Sequence, residues 1–343
     1  MRDEWDQSAA QSRRALLAAR LRQVGSGAGE MSIPRASRGD LAPMSFSQER
    51  MWFLHQYDPD QPTYNCPMLV YLHGPLDRDA LRSAIELIVT RHEALRTTFT
   101  LSDGSPMQRI GPPGPVALPV EDVSGLPEGE RAAAIERITR QFARAPFDLQ
   151  AGPVIRFLLL RLADEAHALV VVAHHAVWDG WSRGVLLREL GLGYQELAAG
   201  RRPALPELPL QYADYAIWQR ERLRGERIEE LTGWWRDYLA GAPTTSEMPT
   251  DRPRPPLQTH SGARVHFRVS AEVSAAVRRL GQAADCTLFM TLLAAWGALM
   301  HRYTGQDDLV VGGPVAAREP LELEELIGCL VNALVFRLDL AGD

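Results

Sequence analysis

The order of hydrophobic and polar residues predicts two amphipathic helices in the first half of the chain. Residues 76–96 place Ile85 and Ile88 on one face, and Asp77 precedes them in a position to cap the helix. Residues 131–142 repeat this spacing of apolar side chains. Each segment therefore has one face that can pack against a sheet and one that can remain in water.

Two shorter apolar segments have the length and composition of strands. They cover residues 154–162 and 168–174, and the second, ALVVVAH, is apolar on both faces. Such a strand is typical of the centre of a sheet that is covered on both sides. After Gly180 the spacing returns to that of a helix, for which Ser182 is the predicted N-cap. The order of strand, turn and helix indicates a mixed α/β fold.

The second half of the chain repeats this pattern. Residues 264–269 alternate as a strand does, and residues 271–284 have helical spacing. Thr287 is placed to cap a further helix that runs to about Tyr303, and residues 308–312 have the composition of a second buried strand. We therefore expect two lobes, each built from a sheet covered by helices.

A proline-containing segment separates these two halves. Residues 200–210 include three prolines, which is typical of a connector. Near the start of the chain, residues 11–24 have the spacing of a short helix and are followed by a stretch containing glycine, serine and proline. The predicted parts are an N-terminal helix and linker at 1–40, a first lobe at 41–208 and a second lobe at 209–343.

Composition and charge narrow the function classes. With 343 residues, of which 45% are hydrophobic, the chain can bury a sizeable core. Its 37 basic and 43 acidic residues leave a net charge of −6, which offers no attraction to nucleic acid or an anionic membrane. No apolar run approaches the roughly 18–20 residues of a membrane span, and residues 1–30 lack the features of a signal peptide. We expect a cytoplasmic protein whose partners include neither nucleic acid nor a membrane.

The three cysteines do not indicate a metal or disulfide site. Cys66, Cys286 and Cys329 are widely spaced and form no CxxC pair. An odd number of isolated thiols fits a reducing compartment. We expect neither a bound metal nor a disulfide framework.

The candidate chemistry begins at two adjacent histidines. Neighbouring residues of a strand point to opposite faces, so His174 and His175 cannot readily bind one metal ion together. One of them is expected to be structural and the other to be presented at the end of the strand. Asp179 follows in a turn closed by Gly180, where a carboxylate can pair with a cation and glycine suits an unusual dihedral angle or a close approach.

These residues alone leave two interpretations open. A pair of histidines at a strand end is more often structural than catalytic, but an imidazole is also the usual general base near neutral pH. The chain has no GxSxG elbow and no cysteine in a recognisable reactive setting. A catalytic site here would therefore favour direct transfer between two bound substrates over a covalent acyl-enzyme.

The segment HHAVWDG (174–180) matches the HHxxxDG signature of the condensation domains of non-ribosomal peptide synthetases, which related acyltransferases share. Five further segments resemble motifs of that family in the same order, and in the last of them Cys329 and Ala333 stand where phenylalanine and threonine are commoner. The five segments are MSFSQERMWFL (44–54), RHEALRTTF (91–99), PFDLQAGPVIRFLLLRL (146–162), YADYAIWQ (212–219) and IGCLVNALVFR (327–337).

The resemblance implies a fold as well as a motif. Members of the family are α/β proteins with two chloramphenicol-acetyltransferase-like lobes in a V-shaped arrangement. They continue through two more motifs beyond those found here. The resemblance therefore also implies that the second lobe, residues 209–343, is incomplete.

The resemblance also implies roles for individual residues. His175 is the implied catalytic residue, and Asp179 is structural and pairs with Arg96. Without the resemblance, Arg96 is equally well explained as a charge favoured by a helix end. Asn332 either lines the substrate channel or caps a strand. The other implied residues support the motif or line the channel, and they are His174, Gly180, Trp181 and Ser182.

The implied reaction is the attack of the amine of an acceptor aminoacyl thioester on a donor acyl thioester. Both substrates arrive on the phosphopantetheine arms of donor and acceptor peptidyl carrier domains, beside an adenylation domain. The motifs are most similar to members that join an L-configured donor to an L-configured acceptor. His175 acts either as a general base or as a group that positions the charged intermediate.

Two other functions stay open at this point. One is a stand-alone acyltransferase of the same superfamily that uses a free alcohol or a coenzyme A thioester. The other is a non-catalytic, condensation-like platform that recruits a partner. Both are compatible with the α/β fold that the motifs imply.

Overall fold

The computed structural model describes residues 32–256, 262–263 and 265–342, and the helix predicted at 11–24 lies outside them. The helices of the described residues are α1 (Phe46–Tyr57), α2 (Arg78–Arg91), α3 (Glu128–Arg144), α4 (Ser182–Ala198), α5 (Tyr212–Arg222), α6 (Glu226–Tyr238), α7 (Ala271–Ala283) and α8 (Leu288–Thr304). The strands are β1 (Leu41–Pro43), β2 (Asn65–His73), β3 (Thr97–Ser102), β4 (Ser105–Ile110), β5 (Val120–Asp122), β6 (Ile155–Ala163), β7 (Ala166–His174), β8 (Asp308–Val315) and β9 (Asn332–Asp339).

The sheet that carries the histidines has four strands in the order β2-β7-β6-β5. β7 runs antiparallel to both of its neighbours, and β5 is parallel to β6. Every residue of β7 after Ala166 is buried, as its apolar sequence requires. The prediction of a central strand at 168–174 is confirmed, and the strand begins two residues earlier.

Alternate side chains of β7 enter two different hydrophobic cores, because the side chains of a strand point to opposite faces. Val170 lies in the core that contains Ile138 of α3. Val171 lies in the core that contains Ile85 of α2 and Leu186 of α4. Full burial of such a side chain contributes about 1.5–3 kcal/mol relative to exposure, so β7 is stabilised from both sides.

The predicted helix caps are confirmed at two positions and wrong at a third. Asp77 accepts hydrogen bonds from the first turn of α2, and Thr287 caps α8. Ser182 is not an N-cap, because Trp181 holds that position and Ser182 is the first residue of α4. The Ser182 hydroxyl is instead held by Asp179, whose carboxylate also accepts the Ser182 backbone N–H.

The strand predicted at 264–269 is not formed over its described residues, 265–269. Val265 and Phe267 are 85% and 82% exposed. Alternation produces a strand only where another strand accepts its hydrogen bonds, and the sheet formed by the second half of the described residues contains β8 and β9 alone. No single described helix is long and apolar enough to cross a membrane, although the bent pair α7 and α8 passes on length and composition.

Residues from the second half of the chain pack against the first half. No helix or strand forms between 201 and 211, and α5 then packs against β1. Tyr212 at the start of α5 is fully buried, and its hydroxyl lies 2.8 Å from the Ser45 Oγ. This packing brings the segment 318–330 to the end of β7, although the domain boundary at 208/209 stays a prediction.

Candidate active site

His175 follows directly after the end of the central strand. Residues His175–Val177 form a single 3-10 turn, in which the Trp178 N–H donates to the His175 carbonyl. Ala176 and Val177 are fully buried and anchor the turn, whereas His175 is only half-buried. A strong central strand and an anchored turn therefore present one imidazole at the strand end.

His174 has a different environment from its neighbour. It is buried, and its Nδ1 accepts the Ala176 N–H at 3.2 Å. Its ring centroid lies 5.7–6.3 Å from those of His55, Tyr64 and Phe147. Burial, and then the neighbouring His55 and His175, lower the pKa of the His174 imidazole to about 3. His174 is therefore a neutral packing residue at physiological pH.

Asp179 is enclosed by hydrogen-bond donors. Its carboxylate accepts from the Ser182 N–H at 2.9 Å and the Ser182 hydroxyl at 2.8 Å. Both of its oxygens lie 3.0 Å from Nη2 of Arg318, and Oδ2 also accepts the Leu330 N–H at 3.1 Å. The Asp179 and Arg318 side chains are each 2% exposed. The carboxylate is thus fully committed to structure and has no free face for a substrate.

The predicted ion pair between Asp179 and Arg96 is wrong. Arg96 donates to the Gly111 carbonyl, and its nearest carboxylate in the described residues is that of Glu93 at 3.8 Å. Arg318 pairs with Asp179 because it is held at the strand end by the packed second half. Its Nη1 also donates to the carbonyls of Leu323 and Leu326.

Gly180 and Ser182 do not act as the sequence suggested. A Cβ at Gly180 would meet nothing within 4 Å, and its φ is not in the left-handed region, so neither an unusual dihedral angle nor a close approach requires glycine. Ser182 is fully buried between Asp179 and Gly328, and it therefore does not line a channel.

The other two predicted channel residues are more exposed. Trp181 is partly exposed, and its Nε1 donates to the Glu324 carbonyl at 2.8 Å. Asn332 is exposed at the start of β9, where its Oδ1 accepts the Ala333 N–H at 2.9 Å. The role of Trp181 and Asn332 in lining a channel stays a prediction.

A tight loop from the second half, residues 328–330, closes against His175. The Gly328 N–H donates to the Ser182 Oγ at 3.1 Å, and the Tyr212 hydroxyl donates to the Cys329 carbonyl at 2.6 Å. The Cys329 Sγ lies 3.6 Å from Nδ1 of His175. Sequence reasoning noted Cys329 as unusual for the family but did not place it, Tyr212 or Arg318 in the site.

We expect Gly328→Ala to destabilise the protein. A Cβ at Gly328 would lie 2.0 Å from the ring of the fully buried Tyr212, which cannot move without disturbing the core. Overpacking of this kind costs about 1–3 kcal/mol, measurable as a lower free energy of unfolding in urea. Gly180→Ala is the matched control for stability, because its Cβ enters open space. Equal loss in both variants would contradict the packing argument.

The described residues contain no group of three or more His, Cys, Asp or Glu side chains placed to hold a metal ion.

The chemistry of the site depends on the half-buried imidazole of His175, which lies beside the neutral, buried His174 and on a braced turn. Such an arrangement can accept or donate a proton at Nε2 and can stabilise charge that develops next to it.

The family of the chain follows from comparison with known proteins. A family model described as "Condensation domain" matches residues 39–343. The match covers most of the chain, and the protein belongs to the condensation-domain family. The resemblance carried by the sequence motifs is thereby confirmed.

The curated relatives are synthetases of peptides. The chain is 42% identical over 329 residues to a linear gramicidin synthase of Brevibacillus parabrevis, and the match covers 96% of the chain and 6% of the relative. It is 42% identical over 326 residues to phosphinothricin tripeptide synthetase PhsC of Streptomyces viridochromogenes, with coverages of 95% and 30%. The chain therefore spans less than a third of the length of either relative.

Solved structures confirm the predicted α/β fold. The X-domain from teicoplanin biosynthesis, solved in complex with OxyB, superimposes with a TM-score of 0.81 at 30% identity. That match covers 92% of this chain and 69% of the X-domain chain. SgcC5 from Streptomyces globisporus is 33% identical with a TM-score of 0.70, covering 88% of this chain and 69% of its own.

Proposed function

We propose that this chain catalyses amide-bond formation in non-ribosomal peptide synthesis, as an acyltransferase with His175 at its centre. The observation that carries the proposal is the half-buried imidazole at the end of a central strand, on a turn braced by the buried Asp179–Arg318 pair. The relatives that are peptide synthetases support the same reaction class.

The chemistry requires no protein nucleophile, because a thioester is already activated. The amine nitrogen of the acceptor attacks the thioester carbon of the donor, the C–S bond breaks, and the leaving thiolate takes up a proton that the amine loses. An α-amino group has a pKa of about 8, so a sizeable fraction is unprotonated at neutral pH. The domain contributes mainly by orienting the two substrates and by stabilising the charged intermediate beside His175.

The partners in this proposal are donor and acceptor peptidyl carrier domains, with an adenylation domain as neighbour. Their phosphopantetheine arms deliver the two thioesters, and the domain itself binds no cofactor. The motif similarity favours an L-configured donor and an L-configured acceptor. A cytoplasmic location, predicted from composition, completes the proposal.

The direct test is reconstitution with loaded carrier domains. We expect amide product when one carrier holds a donor aminoacyl group, the second holds an acceptor aminoacyl group, and this chain is added. Mass spectrometry of the acceptor carrier detects the dipeptidyl product. Transfer from a coenzyme A thioester to a free alcohol, with no product on the carrier, would instead identify a stand-alone acyltransferase.

A recruiting platform is the second candidate, because a protein of similar fold, the teicoplanin X-domain, has been solved in complex with OxyB. A platform needs no exposed imidazole at the strand end. Replacement of His175 would then leave partner binding unchanged, and no amide would form with any pair of loaded carriers.

A further inference from the structure

The ring of His175 has an unexpected neighbour. The Cys329 Sγ lies 3.6 Å from its Nδ1, and among the described residues no other side chain is within hydrogen-bonding distance of that ring. The thiol comes from the second half of the chain, 154 residues further on, and is fully buried. In the family motif that this segment resembles, phenylalanine is commoner at the position of Cys329.

We propose that Cys329 is a positioning residue, whose thiol donates to Nδ1 of His175 and holds the imidazole in the tautomer that carries its proton on Nε2. The inference rests on the proposed function, because it defines how His175 meets its substrates. The Nε2–H then acts as a hydrogen-bond donor toward the oxyanion of the tetrahedral intermediate. His175 in this form stabilises charge and does not act as a general base.

The protonation of the thiol supports this direction of the hydrogen bond. Burial, and then the nearby charge of Asp179, raise the pKa of the Cys329 thiol to about 12. The sulfur therefore keeps its proton at neutral pH and is a poor nucleophile. A thiol sulfur is a weak acceptor, whereas an unprotonated imidazole nitrogen is a good one, so the contact is best made with the sulfur as donor.

The backbone that carries the sulfur is firmly held. The carbonyl of Cys329 accepts the Tyr212 hydroxyl at 2.6 Å. The residues on either side are also bound, since the Gly328 N–H donates to Ser182 and the Leu330 N–H donates to Asp179. Three buried side chains thus hold the backbone of three consecutive residues, which keeps the main chain of Cys329 beside the imidazole.

The proton balance of the proposed reaction is compatible with this role. The acceptor amine can lose its proton to the departing thiolate, so the imidazole need not remove it. A donor at Nε2 is useful throughout the step, because negative charge develops on the carbonyl oxygen as the amine attacks. The thiol keeps its own proton and is unchanged at the end.

The test compares Cys329→Val, which keeps a similar volume without a donor, with Cys329→Ser, which keeps a donor. We expect Cys329→Val to lower kcat about tenfold with little change in KM, as the loss of one hydrogen bond predicts, and Cys329→Ser to restore most of it. Nitrogen-15 spectra of the labelled His175 ring report the tautomer directly. We expect a protonated Nε2 in the natural protein and in Cys329→Ser, and a mixture of tautomers in Cys329→Val.

Two outcomes would overturn the inference. One is an unchanged ring spectrum and unchanged kcat in Cys329→Val, and the other is a natural protein whose ring proton lies on Nδ1. If Cys329→Val does not fold, Cys329→Ala makes the same comparison with a small cavity in place of the thiol. If His175→Ala is inactive and Cys329→Val is fully active, this inference is refuted and the proposed function is left intact. If His175→Ala is itself fully active, the proposed catalytic role of His175 is refuted.

Discussion

His175→Ala is expected to reduce amide formation between loaded carrier domains by about 100-fold to 1,000-fold, the usual cost of losing one donor that stabilises a developing oxyanion. Folding is expected to be unchanged, because the side chain is half-buried and its one side-chain hydrogen bond in the described residues is with Cys329. Product formation measured under single-turnover conditions gives the rate, and thermal unfolding gives the stability.

His73→Ala is the matched control for that experiment. His73 ends β2, whose other end pairs with His174, and its side chain is exposed. It should retain both the rate and the unfolding temperature of the natural protein. A near-normal rate in His175→Ala would refute the catalytic assignment, and a large fall in its unfolding temperature would show that the imidazole is structural.

The central part of the fold could be predicted because its signals are local. β7 is apolar on both faces over almost its whole length, and the segment that follows its turn has clear helical spacing. Period and composition suffice to identify such elements, and Asp77 and Thr287 also identify the starts of α2 and α8. The strand predicted at 264–269 is absent from its described residues for the opposite reason, since pairing with another strand is not a local property.

The environment of the site was harder to predict than its position. The motif indicated that Asp179 stabilises a turn through an ion pair. The structure contains such a pair, but the partner of Asp179 is Arg318 and not Arg96. Arg318 lies 139 residues from Asp179 along the chain. The residues around it show no helical or strand period that would indicate its burial. The Cys329 contact depends on the same packing of the second half, so no spacing within the chain could have revealed it.

Removal of either partner of the buried Asp179–Arg318 pair should be severely destabilising. Both side chains are 2% exposed, so Asp179→Ala leaves a buried guanidinium without a counter-ion, and Arg318→Ala does the same to the carboxylate. Loss of one partner in such a pair costs about 3–5 kcal/mol. We expect less folded protein for both variants, a lower free energy of unfolding in urea, and a loss of activity because the turn that carries His175 is no longer braced.

Arg188→Ala is the matched control, because Arg188 pairs with Glu325 between the same two parts of the chain but at the surface. A solvent-exposed pair contributes about 0–1 kcal/mol, so the control should unfold almost as the natural protein does. The double variant Asp179→Ala with Arg318→Ala should cost less than the sum of the two single changes, because neither charge is left unpaired. If Asp179→Ala were fully stable and merely slow, Asp179 would act on the substrate, and the structural role given to the pair would be refuted.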